Sequence, residues 1–150
     1  FFQPYFDLNG GIFLSNGHGS LGLCHKNFGL GIGFSGAVSS DRGHSLLGLG
    51  AEARLKKGRI LYTLECGGGK PQEFEHRYVD PKLTPVYFRV SSSIRFLRVV
   101  NFGLAYLRTL PYEIGNYSLG SAGFNGEKYT LSTAGFFLGI SLPGFRRKKV

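Results

Sequence analysis

The chain has 150 residues, with 24 glycines, 14 phenylalanines, 8 tyrosines, no tryptophan, no methionine and only 18% charged residues, against about 25% charged in an average domain. Two cysteines, Cys24 and Cys66, exclude a disulfide framework and a CxxC metal or redox motif, and no apolar run reaches the ~18 residues of a membrane-spanning helix. The net charge of +9 fits nucleic acid, an anionic membrane surface or simple solubility, and much of it is local, in Arg146, Arg147, Lys148 and Lys149.

At the start of the chain, Phe6, Leu8, Ile12 and Leu14 oppose Tyr5, Asp7, Asn9 and Gly11, a period of two that reads as a strand. Ser15 to Lys26 reads as a long first loop. From Asn27 to Ser39 the alternation is clearest: Phe28, Leu30, Ile32, Phe34, Gly36 and Val38 face one way, Gly29, Gly31, Gly33, Ser35, Ala37 and Ser39 the other. No helical period of 3.6 competes with it. After the turn-like Ser40-Asp41-Arg42-Gly43, Leu47, Leu49, Ala51, Ala53 and Leu55 oppose Gly48, Gly50, Glu52 and Arg54. Lys56-Lys57-Gly58 reads as a tight turn, and beyond it Ile60, Tyr62, Leu64 and Cys66 oppose Arg59, Leu61, Thr63 and Glu65.

Cys66 to Pro85 holds Gly67-Gly68-Gly69, prolines and dense charge, and reads as a long loop with room for a short strand through Phe74 to Tyr78. Next, Val86, Phe88, Val90, Ser92, Ile94 and Phe96 oppose Tyr87, Arg89, Ser91, Ser93 and Arg95, and Val100, Phe102, Leu104 and Tyr106 oppose Asn101, Gly103 and Ala105. Leu97-Arg98 between them lacks turn residues. A strand between Glu113 and Phe124 and a last one, in which Ala134, Phe136, Leu138, Ile140 and Leu142 oppose Gly135, Phe137, Gly139 and Ser141, bring the count to eight. The fold class expected is all-β: an antiparallel up-and-down closed β-barrel of about eight strands over residues 1–145, with 146–150 a basic tail.

The two faces decide what surrounds such a barrel. The small-residue face also carries Asp7, Glu52, Arg54, Glu65, Arg89 and Arg95, three acids and three arginines that can neutralise one another as an interior charge network. A face meeting water is normally charged more densely. The bulky face, Phe28, Leu30, Ile32, Phe34, Leu47, Leu49, Tyr62, Leu64, Phe88, Phe102, Leu104, Phe136, Leu138 and Ile140, is then expected to face lipid. The alternative is a soluble barrel with those residues turned inward around a small apolar ligand.

This pattern of strands about ten residues long, apolar on one face and small or polar on the other, glycine-rich and with tyrosines near strand ends, resembles the small outer-membrane β-barrel class. The resemblance implies an outer-membrane location, membrane lipid as the immediate partner, a monomer, and a structural or surface-interaction role carried by loops, with a lipid-modifying enzyme as a further alternative. The family alternates long loops at one end with short turns at the other, whereas the strands counted above put Ser15–Lys26 and Gly67–Thr84 at opposite ends. The same count sets Cys24 and Cys66 a barrel height apart, too far for a disulfide.

Catalytic, cofactor and metal motifs are not expected. Gly31-Ile32-Gly33-Phe34-Ser35-Gly36 with Glu52 some twenty residues on matches the dinucleotide GxGxxG spacing, but no helix follows and the glycines continue a period of two. His18 and Ser20 in the first loop, and Asp41, His44 and Ser45 near the second turn, are the candidates for a Ser/His/acid site. His18, His25, His44 and His76 lack HxxxH or HExxH spacing and are expected on the surface, and Glu73, Glu75 and His76 in a solvated loop. Arg89 and Arg95 among aromatics carry no RNA-recognition signature, so no nucleic-acid partner is expected.

Overall fold

The computed structural model describes residues 2–11, 16–39, 44–72, 77–78, 84–97, 99–118 and 121–143. Eleven strands form among these residues: β1 (Gln3–Gly11), β2 (Asn16–His25), β3 (Phe28–Val38), β4 (Ser45–Lys57), β5 (Ile60–Gln72), β6 (Arg77–Tyr78), β7 (Val86–Phe96), β8 (Val100–Thr109), β9 (Tyr112–Ser118), β10 (Ser121–Tyr129) and β11 (Ser132–Pro143). Eight of them close an antiparallel barrel in the order β1-β11-β8-β7-β5-β4-β3-β2, and β10-β9-β6 form a separate three-stranded sheet. The barrel closes where β1 lies on β11, with Tyr5 opposite Pro143 and Gly11 opposite Phe137. Closure leaves no barrel edge with unpaired backbone groups.

The closed barrel and its strand number are as the alternation predicts, but the assignment of individual segments differs. Ser15–Lys26 is not a loop: Asn16–His25 is β2, paired along its length with β1 and β3. The segment from Glu113 is a strand, β9, but it belongs to the small sheet rather than the wall. The two differences cancel in the count. The glycine-rich stretch after Cys66 also continues β5 as far as Gln72, against β4, instead of beginning a loop. β6 supplies a short strand at the end of the Phe74–Tyr78 segment. Ile12 and Leu14, placed in the first strand, and the tail 146–150 lie outside the described residues.

With β2 in place, the connections sort by length onto two rims. On one rim, residues 26–27 join β2 to β3, 58–59 join β4 to β5 and 97–99 join β7 to β8. On the other rim lie the joins β1–β2, β3–β4, β5–β7 with β6 inside it, and β8–β11 with β9 and β10 inside it. The long connections therefore share one end, which removes the conflict in the expected count. Gly58, with φ of 63°, opens the β4–β5 hairpin, where a two-residue turn matched to the strand twist requires a positive φ. Lys26 and Leu97 adopt positive φ in the other two short turns.

Alternation along each strand sorts the side chains into two environments. Phe28, Leu30, Ile32, Phe34, Leu47, Leu49, Tyr62, Leu64, Phe88, Phe102, Leu104, Phe136, Leu138 and Ile140 all point out of the barrel and are exposed, Leu49 at 60%. Among the described strand residues, the outward positions of the wall carry no Asp, Glu, Lys or Arg between Lys57 at the short-turn rim and Lys70 and Arg108 at the long-loop rim. Asp7, Glu52, Arg54, Glu65 and Arg89 are buried inside, and Arg95 is half-buried.

At the long-loop rim the interior is apolar instead. Ala37, Leu46, Tyr87, Leu107 and Leu131 form a buried cluster, with Tyr129 from the end of β10 packed against it. The Tyr129 ring also packs at a tilt against His44, centroids 4.5 Å apart, and meets Tyr112 edge-on at 5.7 Å. Backbone hydrogen bonding between Thr109 N–H and the Leu131 carbonyl continues the wall into this cap. Cys24 stands at the short-turn end of β2 and Cys66 midway along β5, not at opposite ends; β3 and β4 separate them, and both are free thiols.

Candidate functional site: the ionised barrel interior

Each inward ionisable residue is placed by the pleat of its strand, which sends every second side chain to the axis. Arg54 sits at the centre of one group. Its Nε donates to Glu52 Oε1 at 2.7 Å, and its Nη2 donates to Ser20 Oγ at 3.0 Å and to Asp7. Its guanidinium lies 3.7 Å over the Tyr5 ring, a cation–π contact strengthened by removal from water. Tyr5 in turn donates its hydroxyl to Glu52 Oε1 at 3.0 Å.

From Asp7 the network runs toward the short-turn mouth. Ser141 donates to Asp7, Asn101 Nδ2 donates to Ser141 Oγ at 2.6 Å, and Arg95 Nε donates to Asn101 at 3.5 Å. On the other side lies His18, whose Nε2 is 3.0 Å from Glu52 Oε2 and 3.1 Å from Glu65 Oε2. Glu65 also accepts from Ser35 Oγ at 2.9 Å and from the Tyr87 hydroxyl. Arg89 stands directly opposite Glu65 in the β5–β7 register, with its guanidinium 5.9 Å from the Phe137 ring. One polar chain thus draws on all eight barrel strands, from Arg95 on β7 to Ser35 on β3.

Space for these groups comes from the glycines of β3 and β4. A Cβ on Gly33 would lie 2.7 Å from Glu65 Cδ, and one on Gly48 would strike the Tyr87 ring. The small face predicted from sequence therefore acts as a recess for larger side chains reaching across from other strands.

Of the six charged residues singled out from sequence, Asp7, Glu52, Arg54, Glu65 and Arg95 are linked in this network, while Arg89 is buried beside it and donates to Ser91 Oγ at 3.4 Å; the network also contains residues that sequence reasoning did not place there: Tyr5, His18, Ser20, Ser35, Asn101 and Ser141. His18 and Ser20 were assigned to a loop, and only β2 brings them inside. Their shared parity with Asn16, Gly22 and Cys24 is the signal that points to it. The expectation of surface histidines is also corrected for two of them, since His18 is 4% exposed and His44 is fully buried. His25 is exposed; His76, Glu73, Glu75 and Asp41 lie outside the described residues.

The described hydrolytic candidates are engaged elsewhere. The Ser20 hydroxyl is engaged by Arg54, and Ser20 and His18 both face the barrel interior. His44 packs on Tyr129. The GxGxxG-like run lies wholly within β3, with no helix to hold a phosphate. A cavity of about 140 Å³ opens at the short-turn mouth, where the charged side chains of Asp7, Lys26, Arg54, Lys56 and Arg95 share the lining with apolar ones such as Phe28 and Leu61. No protein-family model matches the chain, and no curated protein matches it in sequence.

Proposed function

We propose that this chain is an outer-membrane β-barrel, embedded as a monomer, whose role is structural or is exercised through its long-loop rim. One observation carries this reading: the barrel wears its hydrocarbon outside and its charge inside. Water would favour the reverse, because buried ionised groups cost several kcal/mol each unless paired, while exposed leucines and phenylalanines gain nothing from solvent. Lipid stabilises the arrangement found, and a closed barrel is one of the two backbone structures that can cross a bilayer.

The dimensions agree. The eleven residues of β3, Phe28–Val38, rise about 33 Å along the strand and about 25 Å along the axis at a tilt of ~40°, the height of the apolar band of outer-membrane barrels. Phe2 at 72% and Leu97 at 82% exposure crowd the short-turn rim, where side chains of this kind suit a membrane interface. Segregation of long loops from short turns follows the same family habit. The soluble, ligand-binding alternative has less in its favour, since the bulky apolar residues it would turn around a ligand are exposed on the outside, and the middle of the inward face carries ions and glycines.

Fractionation tests the proposal. The protein should sediment with membranes, resist extraction by alkaline carbonate, require detergent for purification and migrate differently on gels with and without boiling. Recovery of a folded, monodisperse protein from aqueous buffer without detergent would refute it.

A further inference from the structure

We propose that His18, Glu52 and Glu65 form a binding site for one divalent cation of the zinc class inside the barrel. This rests on the side-chain geometry and holds whether the barrel stands in lipid or in water. The three residues come from β2, β4 and β5, all are buried, and their potential ligand atoms lie within 4.8 Å of one another.

Four features favour a cation over a plain ion pair. His18 Nε2 and Glu52 Oε2 are fully buried, face each other at 3.0 Å, and neither has a partner of hydrogen-bonding geometry. Ligands of a tetrahedral zinc ion, bound at about 2.0–2.1 Å, stand about 3.3 Å apart; the two nitrogen-to-oxygen distances here, 3.0 and 3.1 Å, need little adjustment. The outer oxygens of the carboxylates are held from behind, Glu52 Oε1 by Tyr5 and Arg54 and Glu65 Oε1 by Tyr87. That support turns each Oε2 toward His18, as hydrogen bonds behind metal ligands do.

The fourth feature is charge. Glu52 and Glu65 turn two carboxylates onto one imidazole, and among the described residues the guanidinium in ion-pair contact with them, that of Arg54, meets Glu52 Oε1 rather than either Oε2. Asn9 supplies the remaining orientation. Its Nδ2 stands 3.4 Å from His18 Nδ1 while its own Oδ1 lacks a partner. A half-turn of the amide lets Oδ1 accept from Nδ1–H and leaves the Nε2 lone pair free for a metal. An imidazole ligand selects zinc-like ions over Mg²⁺ or Ca²⁺, which prefer all-oxygen sites.

The test uses the full folded chain, stripped with a chelator in whichever medium keeps it folded. Titrated with Zn²⁺ and passed through a desalting column, it should retain one zinc per chain, and Co²⁺ should give the visible absorption of a four-coordinate site. Zn²⁺ should raise the unfolding midpoint, and Mg²⁺ should not. His18→Gln and Glu65→Gln should each weaken binding at least tenfold, while His25→Gln should leave it unchanged. Folded wild type that retains no zinc, or retention undiminished in folded His18→Gln, overturns the site. If the interior variants do not fold, ring-nitrogen NMR of wild type decides. A His18 Nε2 that still bears its proton at saturating Zn²⁺ identifies an imidazole held only by hydrogen bonds and ends the proposal.

Discussion

The Arg54 guanidinium donates to Asp7, Ser20 and Glu52 and covers the Tyr5 ring, so four side chains on three strands lean on one residue. Arg54→Met keeps most of the volume but leaves two buried carboxylates short of their counter-charge. We expect a loss of about 3–5 kcal/mol, measured as a lowered urea midpoint in refolding titrations. Combining it with Asp7→Asn should restore part of that loss, since the double change removes charges from both sides; strict additivity of the two losses would show that the pair does not interact. Gly33 makes a second prediction at this scale. A methyl there would lie 2.7 Å from Glu65 Cδ, so Gly33→Ala should destabilise by about 1–3 kcal/mol through overpacking, whereas Gly10→Ala, with open space around it, should be close to neutral in the same assay.

Among the elements, the strands with bulky outward residues, such as β3 and β7, are legible from alternation alone, and the ones that were misread share a physical reason. The outward positions of β2 begin with Gly17 and Gly19, and its inward ones are Asn16, His18 and Ser20. Those residue types also build turns, and only strand pairing on both sides fixes them as extended. Gly67-Gly68-Gly69 hid the upper part of β5 in the same way. β9 was recognisable as a strand, but no local feature says which neighbours a strand pairs with, so its place outside the wall was not. The interior charges could be assigned to a face from parity, whereas the grouping of His18 with Glu52 and Glu65 depends on three strands meeting across the axis. The turn between β7 and β8 could not be read either, because Leu97 takes a φ of 42° that favours glycine or asparagine. Leu97→Gly should therefore raise stability by about 1 kcal/mol; an unchanged or lower unfolding midpoint would mean that its exposed side chain contributes as much as the turn strain costs.

For the whole molecule, the outer belt gives the sharpest discrimination between lipid and water. Leu49 stands inside β4, opposite Phe34 of β3, and is 60% exposed. In a bilayer Leu49→Arg should cost about 2–4 kcal/mol of folding free energy, while on a water-facing surface it should stay within about 0.5 kcal/mol. Folding into lipid vesicles, followed by urea titration, separates the two, and a neutral result would argue for solvent around the belt. The barrel is also unlike at its two ends. Leu46, Tyr87, Leu107 and Leu131, with Tyr129 packed against them, gather hydrocarbon at the long-loop end, whereas lysines and arginines stand among the residues around the short-turn mouth. Among the described residues the two ends therefore differ in what they offer a visiting solute: an anion would meet lysine and arginine side chains at the short-turn mouth and packed hydrocarbon at the other.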